Sequence, residues 1–391
     1  MTGLSITGLG IVSALGIGAK HHFNQLRSGV VGIGLYQRDT DFLYAGRVNF
    51  TNLQLSKLCG VPFSEYTSRT ALLGLLAAKE ALGELKVDSE LPAAFINGST
   101  VGGMDLSERY FEATGKGEPG DAALFKMHDL GTNSAYIADN LGDFHYINTI
   151  STACSSSANA LMLGAQLIQS GEFHRVLVGG TDALCKFTIE GFRSLMIYDS
   201  GLCQPFDAGR RGLNLGEGAA YLLLESEESR RKSGNPCLAK LSGWANRNDA
   251  FHNTGTSPEG IGAQKAMMAA LETAGLQPHE ISYINAHGTG TQNNDSSELA
   301  AMEAVFGDQL PDFSSTKGAT GHTLAASGAI EAVFSVQSLL QNCAFGNVGI
   351  SEPMTSSKSL LAKPVSKEIK HVMSNSFGFG GNSTTLIFSK I

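Results

Sequence analysis

The sequence predicts an α/β fold whose two halves repeat one arrangement of strand, helix and strand, and three observations lead there. Residues 146–150 are β-branched and aromatic, the residues from there to about Gly171 are helical in spacing, and 175–180 reads as a second buried strand. Together they form a β-α-β unit with parallel strands. The later chain repeats the alternation, with a helix at 260–274, a strand at 281–285 and a long helix at 323–340. Finally, Ser151-Thr152-Ala153-Cys154 before one small-residue helix is matched by Ser315-Thr316-Lys317-Gly318 before another, which points to a duplicated core.

Taken in order, residues 4–9 read as a strand followed by a turn punctuated by Gly10 and Gly16. Thr67 or Ser68 can cap a helix through Leu82, whose inner face carries Ala71, Leu72, Leu75, Ala78 and Leu82. Residues 93–97 form a short strand that runs into the flexible loop Gly98-Ser99-Thr100-Val101-Gly102-Gly103. The helix after Cys154 is apolar almost all round, so it should be sandwiched between layers. Residues 219–224 add a strand, and 225–236, with Arg230-Arg231-Lys232, read as a surface crossover. The expected division is therefore 1–235 and 236–391, fused into one body because no long polar linker separates them. In the second half, Asp295-Ser296-Ser297-Glu298 has the spacing of a capping box opening a helix. Residues 312–314 form a strand, and 371–374 with 384–388 a closing hairpin-like pair.

Composition narrows the class. Charged residues make up 16% of the 391 and Gly 47 of them, against averages of roughly 25% and 7%. Few charges imply much hidden surface, in the core or between subunits, and abundant glycine implies close backbone approach. A net charge of -8 argues against a general nucleic-acid binder. The six cysteines have neither CxxC pairing nor metal-ligand spacing, which indicates a reducing compartment and no metal. With no secretory pattern at the start and no apolar run of membrane length, the expected location is cytoplasmic.

Cys154 lies where a strand ends and a helix begins. The N-terminal end of a helix favours an anion, so its thiol is expected to ionise below the usual value of about 8.5 and act as a nucleophile. A small buried filler is the other reading of the same position. Three further glycine-rich stretches hold reactive groups: Asn285-Ala286-His287-Gly288-Thr289-Gly290-Thr291, Ser315-Thr316-Lys317-Gly318-Ala319-Thr320-Gly321-His322 and Asn375-Ser376-Phe377-Gly378-Phe379-Gly380-Gly381. All sit at the ends of strands, where open α/β sheets bind ligands. A thiol, two histidines, a lysine and free backbone N–H groups make a coherent acyl-transfer site, although a structural role stays open for each histidine alone.

These four stretches, with Gln204-Pro205-Phe206-Asp207 and Gly216-Glu217-Gly218-Ala219, resemble the β-ketoacyl-acyl carrier protein synthases, the elongating condensing enzymes of fatty acid and polyketide synthesis. The resemblance spans nearly the whole chain in order. It implies a thiolase-like fold of five layers, α-β-α-β-α, from two duplicated halves. It also implies a homodimer, or a heterodimer with a related chain, with substrates carried on the phosphopantetheine of acyl carrier protein and no cofactor of the enzyme's own. Residue by residue, it makes Cys154 the acyl-accepting nucleophile, and His287 and His322 the pair that binds the malonyl thioester carbonyl. Lys317 and Glu331 become a supporting charged pair. Phe379 becomes the gate, its backbone N–H joining that of Cys154 in the oxyanion hole, while Thr289 and Thr291 hold the phosphopantetheine arm.

The chain departs from the family in places. Gly380-Gly381-Asn382-Ser383 stands where many members have Gly-Gly-Thr-Asn, Ser155-Ser156-Ser157 is closer to polyketide enzymes, and the loop from His252 to Ser257 is differently spaced. The main rival is a chain-length factor, a non-catalytic partner of the same fold, but such partners lack the nucleophile. For carrier-protein docking, Arg69, Arg193, Arg210, Arg211 and the Arg230-Arg231-Lys232 cluster are candidates; for the acyl pocket, Val101 and Met104.

Overall fold

The computed structural model describes residues 4–38, 41–85 and 91–391. Its core strands are β1 (Leu4–Ser13), β2 (Ala93–Gly98), β3 (Tyr146–Ile150), β4 (Arg175–Asp182), β5 (Gly218–Glu225), β6 (Ala239–Asn248), β7 (Tyr283–Asn285), β8 (Asp312–Ser314), β9 (His371–Gly378) and β10 (Asn382–Ser389). They hydrogen-bond in the order β8-β7-β9-β10-β6-β1-β5-β4-β2-β3, with the short strand Gly16–Ile17 added beside β1.

The duplication is visible in that order. Read outward from the middle, β1-β5-β4-β2-β3 is matched by β6-β10-β9-β7-β8, each strand five places on from its counterpart. The pairing senses match as well. In each half the three outer strands are parallel and the two inner ones antiparallel to their neighbours. The halves join where Leu4–Ile6 of β1 pairs antiparallel with Ala239–Leu241 of β6.

Among the helices of the layers are α1 (Arg69–Leu82), α2 (Ser156–Gln169), α3 (Ile261–Ala274), α4 (Gln292–Phe306) and α5 (Ser327–Gln341). α1 packs on β1, β4 and β5; α3 packs on β6 and β10 and is joined by α4. Between the half-sheets lie α2 and α5, in contact with each other and with strands of both halves. This is the α-β-α-β-α arrangement expected from the sequence. The small residues of α2 have their reason here, because a Cβ at Gly328 of α5 would come within 2.8 Å of the Ala158 Cβ. Only bare backbone lets two helices cross that closely.

Several boundaries shift. β1 continues through Gly10 to Ser13, so Gly10 is not a turn residue. Its missing side chain admits the Ala77 carbonyl of α1, which a Cβ would meet at 1.9 Å. Ser68, not Thr67, caps α1 by accepting the Ala71 N–H at 3.1 Å, an interaction worth about 1 kcal/mol. The crossover at 225–236 contains a short helix, Glu227–Ser233. The expected capping box at 295–298 is overturned: α4 begins at Gln292 with Thr291 as its cap. Asp295 and Glu298 face back instead, accepting N–H groups of Thr289, Gly290, His287 and Gly288 from the loop before the helix. β6, absent from the sequence reading, alternates buried and half-buried residues, and Asn246 on its half-buried face bonds Asn159 of α2 at 2.9 Å. β3 is an edge strand, with Tyr146 and Ile147 37% and 39% exposed, so only one side of it is paired.

Candidate active site

The Cys154 turn closes on itself. Ala153 takes a left-handed φ of 53°, which swings the chain from β3 toward α2 and leaves Cys154 ahead of Ser155, the residue preceding the helix. Ser155 and Ser156 serve the turn directly: Ser155 Oγ donates to the Thr152 carbonyl at 2.7 Å and Ser156 Oγ to the Ala153 carbonyl at 2.6 Å. Ser155 Oγ also contacts Asn382 Oδ1 at 2.7 Å, and the same oxygen accepts from Asn159 and Asn246. Asn382, at the departure from the family pattern, thus ties α2 to β6 and β10. The glycine loop of the fourth motif presses against this turn, since a Cβ on Gly378 would meet the Thr152 carbonyl at 2.7 Å and the Cys154 nitrogen at 3.3 Å.

Burial pushes the Cys154 thiol up to about 11, while the Lys317 charge and the Phe379 backbone N–H pull it down without prevailing. The expected low pKa is overturned. Desolvating a thiolate outweighs the half-charge at a helix end. Alkylation of the resting protein by iodoacetamide should accordingly climb about tenfold per pH unit between roughly pH 6 and 10. A plateau beginning near pH 7, read by mass spectrometry of the Cys154 peptide, would contradict this.

His287 leaves β7, and His322 leaves the short helix Lys317–Thr320; both are 2% exposed. Their rings stand perpendicular with centroids 5.4 Å apart. Lys317 Nζ donates to His287 Nδ1 at 3.1 Å and to the His287 carbonyl at 2.6 Å, and it also contacts Glu331 Oε1 of α5. His322 Nδ1 accepts the Leu324 N–H at 3.0 Å. Each Nδ1 is therefore occupied as an acceptor, which assigns the ring proton to Nε2. Burial, then the neighbouring Lys317 charge, holds both imidazoles well below their ordinary pKa, so both are neutral at pH 7. Burial likewise raises Glu331, against the pull of Lys317.

A cavity of about 440 Å³ collects Cys154, His287, His322, Thr289, Thr291 and Phe379. Thr289 and Thr291 hydroxyls bond each other at 2.9 Å along its wall. Phe379 stacks on Phe192, with ring centroids 5.6 Å apart and planes 20° from parallel. Phe192 escaped the sequence reading; nothing in its surroundings there marks it, since its partner lies far along the chain. The loop from Thr254 to Thr256 reaches the cavity despite its altered spacing, anchored by the Thr256 N–H on Asn293 Oδ1 at 3.0 Å.

Family models of the β-ketoacyl synthase N-terminal and C-terminal domains match residues 1–230 and 238–350. The chain belongs to the β-ketoacyl synthase family. It is thus an acyl-transferring, condensing enzyme. Among curated relatives, a 3-oxoacyl-[acyl-carrier-protein] synthase 2 of Staphylococcus aureus is 31% identical over 98% of this chain and 97% of the relative. Among solved structures, a ketosynthase in complex with its chain length factor from Xenorhabdus doucetiae is 32% identical with a TM-score of 0.85, covering 100% of this chain and 98% of the other. The ishigamide ketosynthase/chain length factor is 27% identical with a TM-score of 0.92, over 100% and 99% of the two chains.

In this β-ketoacyl synthase the remaining sequence candidates divide. Arg69 is buried and donates to both carboxylate oxygens of Glu217, at 2.8 and 2.7 Å, so it is a clasp inside the fold and not a docking residue. Arg210 is also buried, bonded to Ser296 and facing Asp295. Arg230, Arg231 and Lys232 pair with Glu227 and Glu228 along one short helix. Arg211 alone of these cations lines the cavity, with its side chain 67% exposed. Val101 is buried in a cluster with Leu324, against which Phe192 and Met104 pack, and neither Val101 nor Met104 is among the residues lining the Cys154 cavity. Met104 lines a separate apolar surface pocket with Phe111 and Phe187. Among the described residues, no group of His, Cys, Asp and Glu is arranged to hold a metal ion, and no helix is long and apolar enough to cross a membrane.

Proposed function

We propose that this enzyme elongates an acyl chain by two carbons, using Cys154 as the acyl acceptor and His287 with His322 as the electrophilic pair for malonyl. One observation carries the reading: two buried imidazoles, each with Nδ1 taken up by a hydrogen-bond donor, line the same cavity as a buried thiol.

In the first step Cys154 attacks the thioester carbonyl of an acyl group on the phosphopantetheine of acyl carrier protein. The S–C bond to Cys154 forms, the bond to the pantetheine sulfur breaks, and the thiol proton of Cys154 passes to that leaving sulfur. Because burial holds Cys154 protonated, proton loss accompanies the attack rather than preceding it. Negative charge on the tetrahedral oxygen is met by the backbone N–H groups of Cys154 and Phe379. In the second step a malonyl thioester loses CO2, and the electron pair of the broken C–C bond becomes an enolate whose oxygen takes hydrogen bonds from both Nε2–H groups. The enolate carbon attacks the acyl thioester on Cys154, the S–C bond to Cys154 breaks, the 3-oxoacyl product leaves on carrier protein, and the released Cys154 thiolate takes a proton from solvent. Lys317, bridging His287 and Glu331, fixes the His287 ring and keeps its Nδ1 an acceptor. Phe379, stacked on Phe192, gates the passage, and Thr289 and Thr291 hold the pantetheine arm. No cofactor of its own enters either step.

Acyl carrier protein is the proposed partner, with Arg211 at the cavity the accessible cation for its acidic surface. The half-paired edge of β3 suits pairing with a second chain, either a copy of this one or a related ketosynthase-like subunit. The apolar pocket of Met104, Phe111 and Phe187, where Phe111 and Phe187 are 62% and 67% exposed in the single chain, offers a further surface for such a partner. We place the boundary between the halves at 235 and 236, within the connection before β6, and the enzyme in the cytoplasm.

The test is single-turnover elongation. Purified protein with an acyl-carrier-protein thioester should gain an acyl adduct on Cys154, and malonyl carrier protein should then yield the 3-oxoacyl product two carbons longer. Acylation without any elongation, whether or not a ketosynthase-like partner is added, would defeat the reading.

A further inference from the structure

At the end of β4 the carboxylate of Asp182 is fully buried and gathers hydrogen bonds from two segments that are distant in sequence. On one side, Oδ1 accepts Ser99 Oγ at 2.8 Å and the Thr100 and Val101 N–H groups at 3.0 Å each. On the other, Oδ2 accepts Thr100 Oγ1 at 2.7 Å and the Ala325 N–H at 2.9 Å. Ala325 directly follows Leu324, whose left-handed φ of 54° turns two successive N–H groups to different tasks. The Leu324 N–H goes to His322 Nδ1, and the Ala325 N–H goes to Asp182. A non-glycine residue in that conformation costs of order 1–3 kcal/mol and persists only where its surroundings over-determine it.

We infer that Asp182 is a positioning residue for condensation: its buried carboxylate locks the turn that orients His322 to the Ser99–Val101 loop behind the Phe192 wall of the cavity. The loop side is connected by packing, since Val101 and Leu324 share one buried cluster against which Phe192 packs. Asp182 touches no reacting atom and acts only through the His322 turn. An amide in its place presents one acceptor oxygen and one NH2 group, which only donates, to groups that all donate from backbone or can do so from hydroxyls. One edge is then left facing a backbone N–H, either of Ala325 or of Val101, and the strained turn loses its restraint. The inference rests on the proposed role of His322.

The experiment compares wild type, Asp182→Asn, Asp182→Glu and Thr100→Val, each assayed separately for acylation of Cys154 and for condensation with malonyl carrier protein. For Asp182→Asn, kcat for condensation should fall at least about tenfold while KM for malonyl carrier protein and the acylation rate stay within about threefold of wild type. Asp182→Glu, which keeps a carboxylate, should recover most of the loss. Thr100→Val removes one donor from the oxygen that holds Ala325 and should slow condensation by about threefold with acylation unchanged. Acylation and condensation falling in equal proportion in Asp182→Asn would overturn the inference by marking the residue as a general fold element. Undiminished condensation in that variant would overturn it too. Should Asp182→Asn fail to fold, Thr100→Val decides alone, and unchanged condensation there overturns the inference. Wild type that acylates but never condenses would instead strike the reading of His322 itself.

Discussion

Cys154→Ala should abolish covalent acylation of the protein and bring elongation down to background, a loss of at least about 10³-fold. The effect is this large because a methyl group cannot form the thioester that stores the acyl chain between the two steps. Decarboxylation of malonyl carrier protein, in contrast, asks nothing of sulfur and needs only the two histidines. Cys154→Ala should therefore still release CO2 while making no 3-oxoacyl product. Folding should be nearly undisturbed, since the turn is held by Ser155, Ser156 and the bare backbone of Gly378. Intact-protein mass spectrometry after incubation with a labelled acyl carrier protein reads the result. Label persisting on another residue would remove Cys154 from its role.

His322→Ala should lower condensation by about 10²–10³, the range for deleting one preorganised donor to a developing oxyanion, while Cys154 still takes up acyl label within a few-fold of wild type. The asymmetry separates the two half-reactions. His322 is neutral with its Nδ1 occupied; in the proposed mechanism its Nε2–H stabilises charge that appears only when CO2 leaves, whereas acylation is assigned to the backbone N–H groups of Cys154 and Phe379. Neutrality also sets the pH dependence. Both imidazoles stay uncharged well below the ordinary histidine pKa, so condensation should not lose rate through their protonation between about pH 6 and 8. Full condensation by His322→Ala, measured by release of labelled CO2 and product mass, would take it out of the site.

Much of the fold could be read from the chain because it rests on short-range pattern. The strand 146–150 has the bounds its β-branched and aromatic residues suggested. The central position of α2 followed from its being apolar on every side. Local rules failed where a residue answers to something remote. Gly10 looked like a turn and is a strand residue because Ala77 of α1 leans on it. Asp295 and Glu298 looked like a helix cap, yet they lie within α4 on its buried side and bind the loop that carries His287. Arg69 looked like surface charge and is sealed against Glu217, 148 residues away.

The sequence alone determined the duplicated α/β core and the family and singled out Cys154, His287, Lys317, His322, Glu331 and Phe379 as site candidates, because motif and periodicity are written in near neighbours. It could not determine how these groups are ionised or oriented. A thiol at a helix start is expected to be acidic, but here the layers around α2 strip it of water and push it up to about 11. The proton on each histidine is placed by Lys317 and by the Leu324 N–H, and Leu324 is held in its strained turn next to a contact with Asp182 that spans 143 residues. The pairing of Phe192 with Phe379 likewise joins the two halves. Desolvation and hydrogen-bond direction depend on what the distant chain brings into contact, and only the assembled tertiary structure decides that.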